Sequence, residues 1–358
     1  MTRVMIMAGG TGGHVFPALA VADELKQRDV AISWMGTAKG IEARLVPEAG
    51  YVLSEIKVQG LRGNGTLGWL LAPFKVLAAV WQAMTVLRET KPDVVMGLGG
   101  FASGPGGVAA WLLRKPLVIH EQNAIPGLTN TLLAKLANRI LTGFPNSFAD
   151  KIGAEWVGNP VRKQIEDLPM PHLRQTQEHG AMKLLVLGGS LGAQSLNEQI
   201  PAALALLSTS QRPDVRHQCG SRHIESCRNS YKAASVAADV TDFIADMADA
   251  YAWADLVICR AGALTVAELS AAGVASILVP YPHAVDDHQT HNASLLVEAN
   301  AAELIADKDL DATLLASKIS HFEQDRDTLL NMANAARQVA KIGTATQIAD
   351  ICMELSHG

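Results

Sequence analysis

Four polar clusters in this chain combine residue types and spacings that could do chemistry. Gly9-Gly10-Thr11-Gly12-Gly13-His14 sets an imidazole directly behind a glycine turn. An imidazole titrates near neutral pH, so His14 is the first candidate for a general base, the alternative being that it only caps or packs the following helix. His120-Glu121-Gln122-Asn123 supplies two rival bases, Glu121 and His120, beside an amide. In Arg260-Ala261-Gly262-Ala263-Leu264-Thr265-Val266-Ala267-Glu268, Thr265 or its N–H suits a phosphate at a helix start. Glu268, one turn further on the same face, suits a pair of ribose hydroxyls; the same two residues would also form a capping box. The last cluster, His283, Asp286, Asp287, His288, Gln289 and His291, lacks the spacing of a zinc site. It reads as a polar loop that holds sugar hydroxyls through Asp287, His288 and Gln289.

Glycine turns surround these groups. Gly9–Gly13 follows the apolar run Val4–Met7, and Gly188-Gly189-Ser190-Leu191-Gly192 follows Leu184–Leu187 half a chain later. A third cluster, Gly97–Gly107, follows Val94–Met96. Glycine permits positive φ and close approach of a ligand to the backbone, and a helix N-terminus behind it presents free N–H groups to a diphosphate. The chain has no GxxxxGK[ST], which argues against a P-loop nucleotidase. The turn is GGTGGH rather than GxGxxG, and the second strand runs into Gly36-Thr37-Ala38-Lys39 without an acid at its end, which argues against a dinucleotide oxidoreductase.

Such turns must be carried by strands feeding helices. Val4–Met7, Ile32–Met35, Val94–Met96, Leu117–Ile119 and Ile140–Leu141 read as buried strands, with helical stretches such as Ala18–Gln27 and Pro73–Arg88 between them. After a loop over Asp167–Met182 the alternation resumes at Leu184–Leu187, Val215–Cys219, Leu256–Cys259 and Ile277–Val279. Helices over Asp325–Ala340 and from Thr346 close the chain. The expectation is an α/β protein of two doubly wound, Rossmann-like parallel-sheet domains facing each other across a cleft. One domain spans 1–161, with 341–358 packing back on it, and the other spans 162–340.

At 358 residues, 49% of them hydrophobic and 18% charged, the chain is long enough for two such cores and too apolar for disorder. A net charge of −5 argues against a polyanion binder, so nucleic acid is not an expected partner. The four cysteines form no CxxC pair and read as reduced and structural. The chain opens on a strand pattern without a signal peptide, and no segment has the length and apolarity of a membrane span.

Together, GGTGGH at Gly9–His14, HEQN at His120–Asn123, GNPVR at Gly158–Arg162, GGS at Gly188–Ser190, AGALTVAE at Ala261–Glu268 and HAVDDHQTHNA at His283–Ala293 resemble the peptidoglycan N-acetylglucosaminyltransferases of the GT-B class, which convert lipid I into lipid II. The resemblance runs from Val4 to about Ile351. It implies inverting transfer of GlcNAc from UDP-GlcNAc to the MurNAc C4 hydroxyl of undecaprenyl-diphospho-muramyl-pentapeptide, without a bound metal or other cofactor. It further implies that Arg162 and Ser190 contact the diphosphate and that Ile244 flanks the uracil. Ala263, Leu264, Thr265, Val266 and Ala267 would line the nucleotide pocket, and Glu268 would hold the ribose. Asn123 and Gln289 would meet GlcNAc hydroxyls, and Thr11, Gly12 and Gly13 would approach the sugar and the acceptor. The identity of the base stays open among His14, Glu121 and His120. A glycolipid glycosyltransferase, a UDP-GlcNAc 2-epimerase or a nucleotide-binding scaffold protein would share much of this pattern, and fold alone does not separate them.

A polyprenyl-linked acceptor requires work at a bilayer. Trp69, Leu70, Leu71 and Phe74, with Lys75 and Trp111 and the basic residues Arg62, Arg88, Arg114 and Lys115 around them, read as a membrane-contacting face. Leu77, Val80, Trp81, Met84 and Leu87 have helical core spacing and read as buried. The implied location is the cytoplasmic face of the bacterial inner membrane, as a peripheral protein. The implied partners are UDP-GlcNAc, the polyprenyl-diphosphate-linked muramyl-pentapeptide, an anionic membrane surface and other cell-wall synthesis proteins.

Overall fold

In the computed structural model, residues 1–58, 65–174, 180–189 and 192–357 are described. Side chains are described for the same residues except 65–71, 285 and 357. The chain divides into two compact units, Met1–Arg162 with Gly343–Gly358, and Lys163–Ile342. Arg162, expected to open the second domain, groups with the first unit.

Among the described residues the first unit holds a seven-stranded sheet. Its strands are β1 Arg3–Met7, β2 Ala31–Gly36, β3 Val52–Glu55, β4 Val94–Gly97, β5 Leu117–Glu121, β6 Arg139–Thr142 and β7 Glu155–Trp156. The order is β3-β2-β1-β4-β5-β6-β7, parallel throughout. Alternate residues of β1 serve opposite cores: Val4 and Ile6 pack with the helix Gly12–Gln27, while Met5 and Met7 pack with Val80, Ala83 and Leu87. The final helix, Thr344–His357, belongs to the first of these cores through Ala345, Ile348, Ala349 and Cys352. Arg28 ties it down at 2.5 Å from Asp350, and the Thr344 hydroxyl donates to Val157 O at 2.8 Å.

The second unit holds six parallel strands. They are β8 Lys183–Leu187, β9 Asp214–Gln218, β10 Asp239–Thr241, β11 Leu256–Cys259, β12 Ala275–Leu278 and β13 Ala302–Leu304, ordered β10-β9-β8-β11-β12-β13. Both sheets reverse winding direction beside their first strand, between β1 and β4 in one and between β8 and β11 in the other. Crevices at the carboxyl ends of strands open at such switch points. The glycine turns after β1 and β4, and those after β8 and β11, lie at them.

Two local expectations are corrected. The Asp167–Met182 segment, read as a loop, contains a short helix, Pro171–Arg174. Arg174 closes the far end of the helix Ala263–Ala272, donating to Ala272 O and to Gly273 O, and to Tyr251 O at 3.1 Å. Of the five residues read as core on the helix Gly65–Thr90, Val80 and Leu87 are buried, but Leu77 and Trp81 are 66% and 69% exposed. Helical spacing marks an apolar face without revealing whether protein covers it.

Candidate functional site

In the first unit three strand ends meet around His14. Thr11 is the N-cap of the helix Gly12–Gln27, and its carbonyl accepts the backbone N–H groups of His14 and Val15, both at 3.2 Å. His14 therefore stands on the first turn, half-buried, with Nδ1 3.1 Å from Gly9 O and 3.3 Å from the Thr11 hydroxyl. The turn after β4 closes over the same place. A Cβ on Gly100 would lie 2.4 Å from Gly9 O, and one on Gly99 would lie 2.7 Å from His14 Cδ2. Both positions must stay glycine for the two turns to touch. Burial pushes His14 below its ordinary pKa of 6.5, against upward pulls from Glu121, the Gly9 carbonyl and Glu42.

The two rival bases are both tied into the protein by hydrogen bonds. His120 is fully buried and donates from Nε2 to Gly158 O at 2.8 Å; burial lowers it to about 4. Glu121 is buried too, and both its oxygens are occupied. Oε1 accepts the Asn123 N–H at 3.0 Å and Asn123 Nδ2 at 3.2 Å, while Oε2 accepts the Gly127 N–H at 3.1 Å and Asn130 Nδ2 at 2.8 Å. The carboxylate is thus held by four donors of its own loop. It shapes the loop that presents Asn123. Arg162 lies over the Phe16 ring, 5.8 Å from its centre, beside the same helix start.

Glu42 escaped the sequence reading. It begins the helix Glu42–Glu48 and is 1% exposed. Its carboxylate turns back beneath the first glycine turn, accepting the Gly10 N–H at 2.8 Å, the Thr37 N–H at 3.0 Å and the Thr37 hydroxyl at 2.7 Å. The acid missing from the end of β2 is thus present a few residues later, engaged by the chain's own donors.

In the second unit the turn after β8 is fastened by Gln218. Its Oε1 accepts the Gly189 N–H at 3.1 Å, and its Nε2 donates to Gly189 O at 3.0 Å and Asp242 O at 2.9 Å. The fastening links that turn to the segment carrying Ile244, which is half-buried beyond β10. Ser190 lies outside the described residues. After β11 the helix Ala263–Ala272 starts from Gly262 without a side-chain cap, so the capping box expected of Thr265 and Glu268 does not form. Ala263, Leu264 and Thr265 occupy its open N-terminal turn, followed by Val266 and Ala267. Glu268 is buried and accepts the Tyr251 hydroxyl at 3.0 Å.

Arg260 braces this turn. It donates to Val279 O at 3.1 Å, Pro280 O at 3.2 Å, Asp307 Oδ1 at 2.5 Å and Ser195 Oγ at 2.9 Å. Desolvation would raise the Asp307 carboxyl, but bonds from Ser195 and Arg260 overcome it and leave the group below its ordinary value. Beyond β12, Asp286 and Asp287 take left-handed backbone angles, φ 53 and 51, immediately before the helix His288–Glu298. Such strain concentrates at functional loops. Gln289 follows, its Oε1 accepting the Tyr281 N–H at 2.9 Å. Among the described residues no group of three or more His, Cys, Asp or Glu side chains is placed to hold a metal ion.

Two nucleotide-type sheets with switch-point glycine turns are common to many enzymes, and comparison with known proteins narrows the field. The glycosyltransferase family 28 N-terminal domain matches residues 4–142, and the C-terminal domain of the same family matches residues 183–349. The chain belongs to glycosyltransferase family 28. A protein of Nitrosococcus oceani, named UDP-N-acetylglucosamine–N-acetylmuramyl-(pentapeptide) pyrophosphoryl-undecaprenol N-acetylglucosamine transferase, is 56% identical over 99% of each chain. A relative of the same name from Aeromonas hydrophila is 54% identical over 99% of this chain and 97% of its own. Among solved structures, MurG of Acinetobacter baumannii superposes with a TM-score of 0.85 at 40% identity, over 99% of this chain and all of the other. A UDP-GlcNAc 2-epimerase from Neisseria meningitidis has a TM-score of 0.67 over 99% of this chain and all of its own, at 12% identity, which is likeness of fold alone.

Proposed function

We infer that this chain transfers N-acetylglucosamine from UDP-N-acetylglucosamine to the C4 hydroxyl of undecaprenyl-diphospho-N-acetylmuramyl-pentapeptide, inverting the anomeric centre and giving lipid II. The chain-long likeness to transferases bearing that name carries the assignment.

The geometry supports a division of labour. In the second unit the N–H groups of the uncapped helix start at Ala263–Thr265 offset charge on the departing UDP. Glu268, with one oxygen held by Tyr251, takes the ribose hydroxyls, Ile244 flanks the uracil, and Gln289 reads the sugar. In the first unit His14 takes the proton of the attacking hydroxyl, with Thr11–Gly13 and Asn123 lining the approach and Arg162 adding positive charge toward the diphosphate. As the acceptor oxygen bonds to C1, the C1–O bond to UDP breaks, and the hydroxyl proton passes to His14. Steady-state kinetics test the division. His14→Ala should lower kcat by about a hundredfold or more while leaving KM for UDP-GlcNAc within about threefold. A His14→Ala enzyme with normal kcat would remove His14 from the reaction.

A polyprenyl acceptor also implies a lipid surface, and we place it on the first unit. Phe74, Leu77 and Trp81 on the helix Gly65–Thr90 are exposed, as are Trp111 and Leu112 on the helix Ser103–Leu112 packed against it, and Leu128 and Leu132 on the helix Leu128–Leu133. Lys75, Arg88, Arg114 and Lys135 are exposed on or just beyond these helices. Large apolar tips among cations suit an anionic bilayer. The side chains of Trp69, Leu70 and Leu71 lie outside those described. Among the described residues no helix is long and apolar enough to cross a membrane. The exposed apolar tips and cations support a peripheral location, which we propose to be the cytoplasmic side of the inner membrane. Co-sedimentation with vesicles containing phosphatidylglycerol should fall sharply for Phe74→Glu with Trp81→Glu. Unchanged sedimentation would move the contact elsewhere.

A further inference from the structure

The Gly9–Gly10 peptide is held from both ends. Its carbonyl, Gly9 O, faces His14 Nδ1 at 3.1 Å, and its N–H, on Gly10, donates to Glu42 Oε2 at 2.8 Å. A carbonyl only accepts, so the first bond requires the proton to be on Nδ1. The other neighbour of Nδ1, the Thr11 hydroxyl at 3.3 Å, can then only accept from the same N–H. The imidazole is left with its lone pair on Nε2, which has no hydrogen-bond partner among the described residues. The peptide has little freedom to turn over. Gly100 presses on Gly9 from one side, and Glu42 fills the space where a Gly9 Cβ would stand, with Oε1 at 2.3 Å from that position.

We propose that Glu42 is a positioning residue for the transfer reaction, fixing His14 as a base through the intervening Gly9–Gly10 peptide. The proposal rests on the reading of His14 as the base. A buried carboxylate polarises the peptide by accepting its N–H, and the polarised carbonyl is a stronger acceptor for Nδ1–H. When the acceptor hydroxyl gives its proton to Nε2, the ring becomes an imidazolium, with its positive charge facing the Gly9 carbonyl and, behind it, the carboxylate. No proton leaves Nδ1, and none is passed on to Glu42. The arrangement does for this imidazole what a directly bonded carboxylate does in other acid–base sites, with one peptide in between. Only a carboxylate serves, because all three of its partners present donors. Glutamine at this position would set its NH₂ against the backbone N–H of either Gly10 or Thr37.

Glu121 is the other charged group acting on the ring, from the end of β5, and it stays in place in the test. Full-length chain labelled with ¹⁵N-histidine, with His14→Gln for assignment, reports the His14 tautomer through long-range proton–nitrogen correlations. The wild-type chain should show Nδ1–H. Glu42→Gln should lose that preference, lower kcat by about tenfold or more, and leave KM for UDP-GlcNAc within about twofold. It should also move the acid limb of the kcat profile to lower pH, since the carboxylate raises His14 and its removal lowers it. Thr37→Val removes a donor from the other carboxylate oxygen and leaves the Gly10 bond, so tautomer and acid limb should hold. An Nε2–H tautomer in the wild-type chain overturns the proposal, as do identical changes in Glu42→Gln and Thr37→Val, which would mark general loosening of the loop. If His14→Gln retains full turnover while Glu42→Gln still changes the tautomer, the base assignment fails and the link between Glu42 and His14 stands.

Discussion

Glu268→Gln offers a sharp test of the nucleotide half of the site. The carboxylate is 6% exposed, with Oε2 accepting the Tyr251 hydroxyl at 3.0 Å. Glutamine keeps the shape and, since a hydroxyl can reverse its role, can keep Tyr251 as a partner through its NH₂. It loses the charge and one of two acceptor oxygens, so two ribose hydroxyls that shared a carboxylate would be left with a single neutral amide oxygen to donate to. A hydrogen bond to a charged group contributes about 1.5–3 kcal/mol. At 1.4 kcal/mol per tenfold, that weakens UDP binding by roughly 10- to 150-fold. Titration calorimetry with UDP and with 2′-deoxy-UDP separates this from general damage. The wild-type chain should prefer UDP by about tenfold, and Glu268→Gln should reduce that preference to within about twofold. A preference for UDP that survives the substitution intact would refute a ribose-binding role, however much overall affinity falls.

Other outcomes follow from the same structure. His120 and His217 are buried and held neutral, lowered to about 4 and about 3 by desolvation. Below pH 6.5 the unfolded chain takes up protons that these two sites refuse, so stability falls with pH until each folded pKa is reached. The loss should be about 2 kcal/mol per histidine between pH 6.5 and 5, read from urea unfolding at each pH. Gly10→Ala and Gly192→Ala both force a left-handed alanine, at φ +88 and +80, but only the second Cβ meets backbone, 2.4 Å from Cys219 O. Gly10→Ala should cost about 1–2 kcal/mol and Gly192→Ala clearly more, measured as unfolding free energies. Asp307→Asn removes the charge that Arg260 and Ser195 share and should cost about 1–3 kcal/mol, with KM for UDP-GlcNAc rising as the turn after β11 loosens.

The fold was legible because its signals are local. Apolar runs such as Val4–Met7 and Leu184–Leu187, ending in glycine turns, mark strands that feed helices, and their repetition half a chain apart marks two sheets. The clusters at Gly9–His14 and Ala261–Glu268 were legible for the same reason, since turn chemistry and helix start are written in adjacent residues. Glu42 was not, because nothing in Gly40-Ile41-Glu42 says that the carboxylate folds back under a turn thirty residues earlier. The surroundings of Glu121 are not legible either: its four donors come from Asn123, Gly127 and Asn130, and only the folded loop brings them together. Leu77 and Trp81 have core spacing yet are exposed, because helical periodicity records an apolar stripe and not its partner.

Product analysis tests the central claim most directly. The purified chain is supplied with UDP-GlcNAc labelled in the sugar and with a short-chain polyprenyl-diphospho-muramyl-pentapeptide, and the products are separated. Labelled disaccharide lipid and UDP should appear in equal amounts, the new linkage β at MurNAc C4. UDP-ManNAc released without acceptor, or UDP-GlcNAc bound and returned unchanged in the presence of acceptor, would contradict a glycosyl transfer to lipid I.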